Sequence, residues 1–195
     1  MPLRDEELWR QGSFMDKQEM GITMKVINRQ RNSRMCIMCG MDNEYGVRAP
    51  FYNMEDGSVM TLFQYRPQHQ SYPGRVHGGL VTAMLDEMGL RALWAKEGSE
   101  ETFGVTLSLD TKYRKPVPYG EDLIGKGTIL KSNSHFFVTD ACIMDLYGNI
   151  LAGGTIKYIK MDTEQIAGNL DAHEEMPYLI EDGRKEICFH TTGKA

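Results

Sequence analysis

The stretch GGLVTAMLDEMGLRALWAK, residues 78–96, is apolar on almost every side when it is read as a helix. Leucine, methionine, alanine, valine and tryptophan occupy most of its positions and leave no continuous polar face. A helix that is hydrophobic all round is a buried helix. Gly98 follows soon after Lys96 and is a typical helix stop. We therefore predict one long buried helix over Gly78–Lys96, around which the rest of the chain must pack.

Short strand patterns flank this helix on both sides. Before it, two apolar runs surround the turn residues 55–57, Glu-Asp-Gly, which predicts a β-hairpin. After it, Val105, Leu107 and Leu109 alternate with polar residues, and this period of two is typical of a strand. The predicted strands are Gly46–Tyr52, Ser58–Tyr65, the run from Val105 that Pro116 and Pro118 end, Leu123–Leu130, Phe136–Leu146 and Ile150–Met161.

The two ends of the chain carry weaker patterns. Asp16–Asn32 has helix-forming composition, so we predict a helix there, within an N-terminal helical extension over residues 1–45. Residues 162–195 are predicted to form a tail with a short helix or an extended arm. Residues 46–161 then form the main domain, an α+β fold in which a curved antiparallel sheet wraps around one long central helix. Because free sheet edges tend to pair, we expect a homodimer or a dimer of dimers joined through the sheets.

Composition and charge exclude several classes of protein. The 195 residues carry a formal net charge of −5, and both signs are mixed along the chain, unlike the basic footprint of a nucleic-acid binder. No run approaches the roughly 18 apolar residues of a membrane span. The first residues contain no apolar stretch of the kind found in secretory signals. Four cysteines are too few for a disulfide scaffold, so we expect a cytoplasmic protein with reduced cysteines.

The start of the predicted helix has the features of an anion-stabilising site. His77-Gly78-Gly79 lies where a loop becomes the helix, and the backbone N–H groups there have no partner within the helix. Such donors, at the positive end of the helix dipole, can stabilise the negative charge that a carbonyl oxygen gains when it is attacked. Glycine allows a substrate to approach the backbone closely. A plain loop-to-helix junction would have the same glycines, and glycine spacing alone favours this simpler interpretation.

Asp86 is the candidate catalytic side chain. No basic residue lies three or four positions from it on the helix, whereas Glu87 has Arg91 four residues later, in the order that favours a surface ion pair. A carboxylate on a buried helix is costly unless something satisfies it, which makes it a functional candidate. The alternative is a carboxylate that bonds to the backbone or to another subunit.

Together these residues resemble a known family, the hotdog-fold acyl-CoA thioesterases of the phenylacetate-pathway and thioesterase-superfamily type. The resemblance rests on His77-Gly78-Gly79 with Asp86 nine residues beyond the histidine, and on the later segment from Gly104 to Pro116 with its Tyr-x-x-Pro ending. The turn at residues 120–122 and the final strands also fit. The likeness covers about residues 46–161 and implies a hotdog fold, hydrolysis of a thioester and no cofactor.

The resemblance also implies roles for individual residues. Asp86 resembles the nucleophile or general base, and the N–H of Gly78 resembles the donor to the thioester carbonyl. Thr106 falls where a Ser or Thr of the facing subunit assists the carboxylate. His77, which by itself suggests a general base, is implied to orient the backbone. Many relatives carry Asn where this chain has Ser71, and the substrate-binding candidates around the helix start and beyond the next strand are Gly79, Ser71, His69, Gln70, Arg114 and Lys115.

Other motifs allow more than one interpretation. The cations Lys112, Arg114 and Lys115 suit coenzyme A phosphates, although ordinary solvated charges at a strand end explain them equally well. Cys36-Ile-Met-Cys39 resembles half of a zinc site, but no second ligand pair lies near it in sequence, so we expect no metal. A non-catalytic acyl-binding protein is the main alternative function, and a hotdog dehydratase is a further one. The acyl group, and coenzyme A versus acyl carrier protein as its carrier, stay open.

Overall fold

The computed structural model describes residues 20–168 and 172–191 of the chain. Among them, eight antiparallel strands form one sheet in the order β4-β7-β6-β5-β3-β2-β1-β8. The strands are β1 Met20–Arg29, β2 Tyr52–Met54, β3 Val59–Phe63, β4 Phe103–Tyr113, β5 Leu123–Ser132, β6 Phe136–Asp145, β7 Ile150–Met161 and β8 Glu186–Thr191. The helices are α1 Gly78–Glu97, α2 Thr163–Ala167 and α3 Ala172–Glu175.

Helix α1 is the buried centre of the molecule, as predicted. It contacts strands β2 to β7, so the sheet curves around it in the hotdog arrangement that the sequence resemblance implied. Met84, Leu85, Met88 and Leu93 have no exposed surface. The α+β hotdog prediction is confirmed, and the predicted helix is one residue shorter than the observed one. None of the helices that the structure describes is long and apolar enough to cross a membrane.

The strand predictions after α1 are confirmed, and the predicted hairpin exists. β2 and β3 pair antiparallel across residues 55–58, and Gly57 adopts the positive φ of 77° that this turn requires. The first strand of the hairpin begins at Tyr52, not at Gly46 as predicted. β7 has the predicted bounds, and β4 to β6 differ from the predictions by one or two residues at some ends.

The helix predicted for Asp16–Asn32 is wrong over the residues that the structure describes, while residues 16–19 lie outside them. Residues 20–29 form strand β1, which pairs antiparallel with β8 from Met20 opposite Thr191 to Lys25 opposite Glu186. Ile22, Met24 and Val26 pack with buried residues of β8. This alternation was present in the sequence, but a helix-forming composition outweighed it in the prediction.

The C-terminal segment contains both predicted alternatives. Two short helices, α2 and α3, precede the extended strand β8 at the edge of the sheet. Ile187 and Phe189 of β8 are buried in a second apolar cluster with Tyr52, Met60 and Ile124, on the face of the sheet away from α1. β1 precedes the predicted main domain and β8 follows it, yet both belong to its sheet. One edge of this sheet is β8 and the other is β4.

Candidate active site

The first turn of α1 leaves one backbone donor free. His77 caps the helix: its ring Nδ1 accepts the N–H of Gly79 at 3.0 Å, and its carbonyl accepts the N–H groups of Leu80 and Val81 at 2.9 and 3.2 Å. The N–H of Gly78 has no hydrogen-bond partner among the residues that the structure describes. The N–H of Gly78 is therefore available to an acceptor from outside the helix. The ring of His77 holds the backbone of the helix start, and the N–H of Gly79 serves the cap.

The loop before α1 is held against the helix start by backbone pairing. Gln70 pairs with Val76, and the N–H of His77 donates to the carbonyl of His69 at 2.9 Å. The buried ring of His69 accepts the N–H of Arg66 at Nδ1, and its Nε2 lies 2.7 Å from the carbonyl of Tyr45. Burial lowers the pKa of His69, so its ring is neutral and donates from Nε2. His69 therefore braces this loop, and both its nitrogens are taken, which contradicts the predicted contact with substrate or water.

Ser71 and Gln70 lie on the exposed side of the same loop. The backbone N–H of Ser71 donates to the carbonyl of Arg75 at 2.8 Å. The Oε1 atom of Gln70 accepts the hydroxyl of Tyr119 at 2.8 Å. The pairing of Gln70 with Val76 brings Gln70 beside the start of α1.

Asp86, on the third turn of α1, is a half-buried carboxylate anchored through one oxygen. The hydroxyl of Thr106 donates to its Oδ1 at 2.8 Å, and the hydroxyl of Tyr158 lies 3.1 Å from the same oxygen. The Tyr158 hydroxyl also lies 2.7 Å from the backbone carbonyl of Asp86. Oδ2 of Asp86 accepts no hydrogen bond from the residues that the structure describes, which leaves this oxygen available for chemistry. Thr106 makes this contact within one chain, whereas the resemblance implied a residue of the facing subunit.

The register of the sheet explains why both hydroxyls reach one oxygen. Thr106 on β4 is the direct antiparallel partner of Tyr158 on β7, so their side chains point to the same face, towards α1. A register shift after Thr106 lets β4 bend beside the helix. Gly89 provides the room: a Cβ atom there would lie 2.1 Å from the Tyr158 hydroxyl.

The surroundings of Asp86 change its acidity. Burial raises the pKa of the Asp86 carboxyl above its ordinary value, and the negative charge of Glu87 acts in the same direction. The hydrogen bonds from Thr106 and Tyr158 favour the charged form and oppose this rise only in part. A carboxylate with a raised pKa is a stronger base, which suits a group that accepts a proton in a reaction.

Comparison with known proteins identifies the segment that carries these residues. Residues 73–152, which hold the helix start, Asp86 and Thr106, match the family model described as Thioesterase superfamily. This segment is a thioesterase-superfamily domain. The resemblance found in the sequence is confirmed.

Individual proteins are similar to parts of this chain in sequence or in fold. The mouse protein Acyl-coenzyme A thioesterase THEM4 is 27% identical over 128 residues, which are 65% of this chain and 52% of the mouse protein. A solved structure described as a thioesterase superfamily protein has a TM-score of 0.58 and 25% identity, and the match covers 65% of this chain and 60% of that one. A hypothetical thioesterase from Streptococcus pneumoniae, solved with coenzyme A, has a TM-score of 0.52 and 21% identity over 58% of this chain and 89% of that one. The chain spans about half the length of its mouse relative.

In this thioesterase domain, the ion pair next to Asp86 differs from the prediction. Arg91 donates to Oε1 of Glu87 at 2.9 Å, as the spacing indicated, but its side chain is only 1% exposed. Its guanidinium also donates to the carbonyl of Arg31 at 2.6 Å and lies over the rings of Phe51 and Trp94. The predicted surface pair is therefore a buried one, and Glu87 points away from the side of α1 where Thr106 and Tyr158 contact Asp86.

The cations predicted to meet phosphates lie elsewhere on the thioesterase domain. Lys112 and Arg114 line a cleft together with Asp110 and Asp140. Side chains alternate along a strand, so Lys112 and Arg114 point to the opposite face from Tyr113, whose hydroxyl donates to the carbonyl of Gly78 at 2.9 Å. The N–H groups of Arg114 and Lys115 both donate to the carbonyl of Leu151. Within one chain, these cations do not join the site around Gly78.

Two tyrosines of the site were missed in the sequence. Tyr158 holds Asp86, and Tyr113 holds the first turn of α1. Tyr158 stands in an alternating strand pattern, in which a tyrosine is common, so nothing local marks it. Tyr113 was noted only as part of the Tyr-x-x-Pro ending, without a role in the site. The two tyrosines have these roles only because their side chains on β4 and β7 point towards α1 in the folded chain.

Proposed function

We propose that this thioesterase domain hydrolyses an acyl-coenzyme A thioester to a free acid and coenzyme A. Asp86 acts either as the nucleophile on the thioester carbonyl or as the base that activates a water molecule. The observation that carries the proposal is the half-buried Asp86 carboxylate, whose Oδ1 is fixed by two hydroxyls and whose Oδ2 is unpaired within residues 20–168 and 172–191. A protein that only bound an acyl group would not need such a carboxylate. The activity in the name of the mouse relative is the same one.

The distance along α1 determines how the site is assembled. Gly78 and Asp86 are eight residues apart on one helix, which is about 12 Å along its axis at about 1.5 Å per residue. A single thioester carbonyl cannot meet the N–H of Gly78 and the carboxylate of Asp86 from the same chain. We therefore propose that each site combines Asp86 and Thr106 of one protomer with Gly78 of another.

Strand β4 is the edge that would bring two protomers together. It is eleven residues long and lies at the end of the sheet, and its apolar side chains Val105 and Leu107 are 39% and 50% exposed. A long edge strand with exposed apolar residues favours pairing with another chain. Pairing of β4 with β4 around a two-fold axis would also place the two helices beside one another, with their sites at the interface. A homodimer or a dimer of dimers satisfies this arrangement.

A hydrolysis screen tests the reaction. The purified chain is incubated with acyl-CoA thioesters that cover short, medium, long and aromatic acyl groups, and the released thiol is measured. Matched thioesters of acyl carrier protein form the second arm, because the site chemistry does not separate the two carriers. We expect turnover above the uncatalysed rate for at least one class of acyl-CoA. Binding without turnover across both arms would instead identify a non-catalytic acyl-binding protein.

The composite site predicts complementation between two inactive variants. An Asp86→Asn chain keeps Gly78 intact, and a Gly78→Pro chain keeps Asp86 intact. After co-expression, a mixed dimer has one site with both defects and one site with neither. Random pairing makes half of all dimers mixed, so about a quarter of the wild-type rate should return. Each variant alone, and the two mixed without subunit exchange, are the controls. Failure to recover activity in mixed dimers, isolated by two different tags, would contradict the shared site.

A further inference from the structure

A second group of reactive side chains lies on the other side of α1 from the Thr106 contact. Cys36 and Cys39 occupy the loop after β1, and Glu87 reaches them from α1; one ligand atom of each lies within 4.8 Å of the others. The sequence predicted no metal there because no further ligand was close along the chain. The fold supplies one that is about fifty residues away.

The loop that holds the two cysteines fixes their Sγ atoms through hydrogen bonds. The Sγ of Cys36 accepts the N–H groups of Met38 at 3.3 Å and Cys39 at 3.5 Å. The hydroxyl of Ser33 lies 3.2 Å from the Sγ of Cys39. Gly40 closes the turn by donating to the carbonyl of Cys36, where a Cβ atom would come within 2.4 Å of that oxygen. These contacts fix the positions of the two sulfur atoms, which bind metals in the thiolate form.

Glu87 is oriented like a metal ligand with an outer partner. Its Oε1 accepts from Arg91, and its Oε2 faces the Sγ of Cys36 at 3.6 Å. Two ligands of a tetrahedral zinc ion, one sulfur and one carboxylate oxygen, are separated by roughly 3.5 Å, given the usual bond lengths. Outer partners such as Arg91 commonly fix the ligand atom of a carboxylate.

The charges also fit a divalent cation. Two thiolates and one carboxylate carry three negative charges, and the buried guanidinium of Arg91 carries one positive charge beside them. A divalent ion makes this group neutral, which matters because an unbalanced charge in a buried place is costly. Thiolate ligands select soft or borderline cations of the zinc type over magnesium or calcium.

We propose that Cys36, Cys39 and Glu87 bind one zinc-type divalent cation, with a water molecule as the fourth ligand. Binding replaces the protons of the two thiols, which are released to solvent, and no bond to carbon changes. The ion would join the loop after β1 to the middle of α1, next to the residue that bears the catalytic carboxylate. Its role is structural, because the Thr106 and Tyr158 contacts of Asp86 lie on a different side of the helix.

Elemental analysis of the full chain, purified without chelators under reducing conditions, tests this site. We expect about one zinc per chain. Cobalt(II) loaded into the metal-free protein should show sulfur-to-cobalt charge-transfer absorption. Cys36→Ser and Cys39→Ser should each weaken that absorption, because each leaves one thiolate ligand, and should lower zinc affinity at least about tenfold. The double variant should abolish the absorption, and Glu87→Gln should lower zinc affinity by about 10- to 100-fold. Cys188→Ser, on the exposed face of β8, is the matched control and should keep full zinc content.

Several results would overturn the proposal. One is a wild-type chain that contains no zinc and does not bind added zinc in competition with a chromophoric chelator. Another is zinc that the Cys36→Ser, Cys39→Ser double variant retains. A third is a wild-type chain isolated with a Cys36–Cys39 disulfide that persists under mild reduction. Should the cysteine variants not fold, the cobalt spectrum of the wild-type chain decides, since its intensity reports the number of thiolate ligands.

Discussion

Replacing Asp86 with asparagine is expected to lower kcat for the best acyl-CoA substrate by at least about 10²- to 10⁴-fold. Asparagine keeps the shape of the side chain, and its carbonyl oxygen can still accept from Thr106 and Tyr158. It removes the second carboxylate oxygen, which is the atom that attacks the thioester or takes a proton from water. Steady-state release of coenzyme A measures the loss.

Two comparisons make this result specific to the site. Asp140→Asn is the same substitution on the outer face of β6 and should keep wild-type turnover. Thr106→Ala should lose less than Asp86→Asn, because the Tyr158 hydroxyl still holds Oδ1. An Asp86→Asn variant with near wild-type turnover would exclude this residue as nucleophile and as base.

The folding control for Asp86→Asn follows from its pKa. Burial raises the pKa of Asp86 in the folded chain, so the folded state holds the proton more tightly than the unfolded state. The stability that this provides is complete below the unfolded pKa and is lost as the pH rises through the folded pKa. At neutral pH the ionised carboxylate therefore destabilises the folded state. The asparagine variant should melt at the same temperature as the wild type or above it.

Replacing Gly78 with proline is expected to reduce kcat by about 10²- to 10³-fold, the usual loss when one oxyanion donor is removed. Proline removes the N–H of residue 78 and is compatible with the backbone conformation at the start of α1. Gly78 is the first residue of α1, where proline is well tolerated because its N–H has no partner in the helix. His77, at φ −62° and ψ 129°, already has the extended backbone that a residue before proline adopts.

Gly78→Ala is the matched control for the proline variant. It retains the N–H, and its Cβ atom would make an ordinary contact of 3.5 Å with the Tyr113 hydroxyl. Its turnover should stay within a few fold of wild type, while both variants keep the helical dichroism of the parent. Equal activity of the proline and alanine variants would show that the N–H of Gly78 does not stabilise the transition state.

The prediction of the fold from sequence succeeded where one local pattern was strong and failed where two patterns competed. Helix α1 was clear because its apolar residues cover all sides. The β1 segment contained both a helix-forming composition and the alternation of Ile22, Met24 and Val26. Its strand partner β8 begins more than 150 residues later, so the pairing that decided between the two left no mark on the local sequence.

The candidate site divides in the same way. Gly78 and Asp86 could be proposed because a motif places them on one helix at a fixed spacing, and the resemblance implied that His77 orients the backbone. His69 was predicted to meet substrate, yet its ring is used by the loop itself. A histidine near a motif does not show which groups will occupy its nitrogens, because those partners come from the folded loop.

The amino-acid sequence by itself determined the buried helix, the alternating strands β4 to β7 and the family of the domain, since each depends on periods or spacings within a short stretch. The tertiary structure decided the rest. It placed Thr106 and Tyr158 opposite one another against Asp86, buried the pair of Glu87 and Arg91, and brought Cys36 to within 3.6 Å of Glu87. These contacts join residues that are distant along the chain, and their energies depend on burial and distance, which exist only once the sheet has closed around the helix.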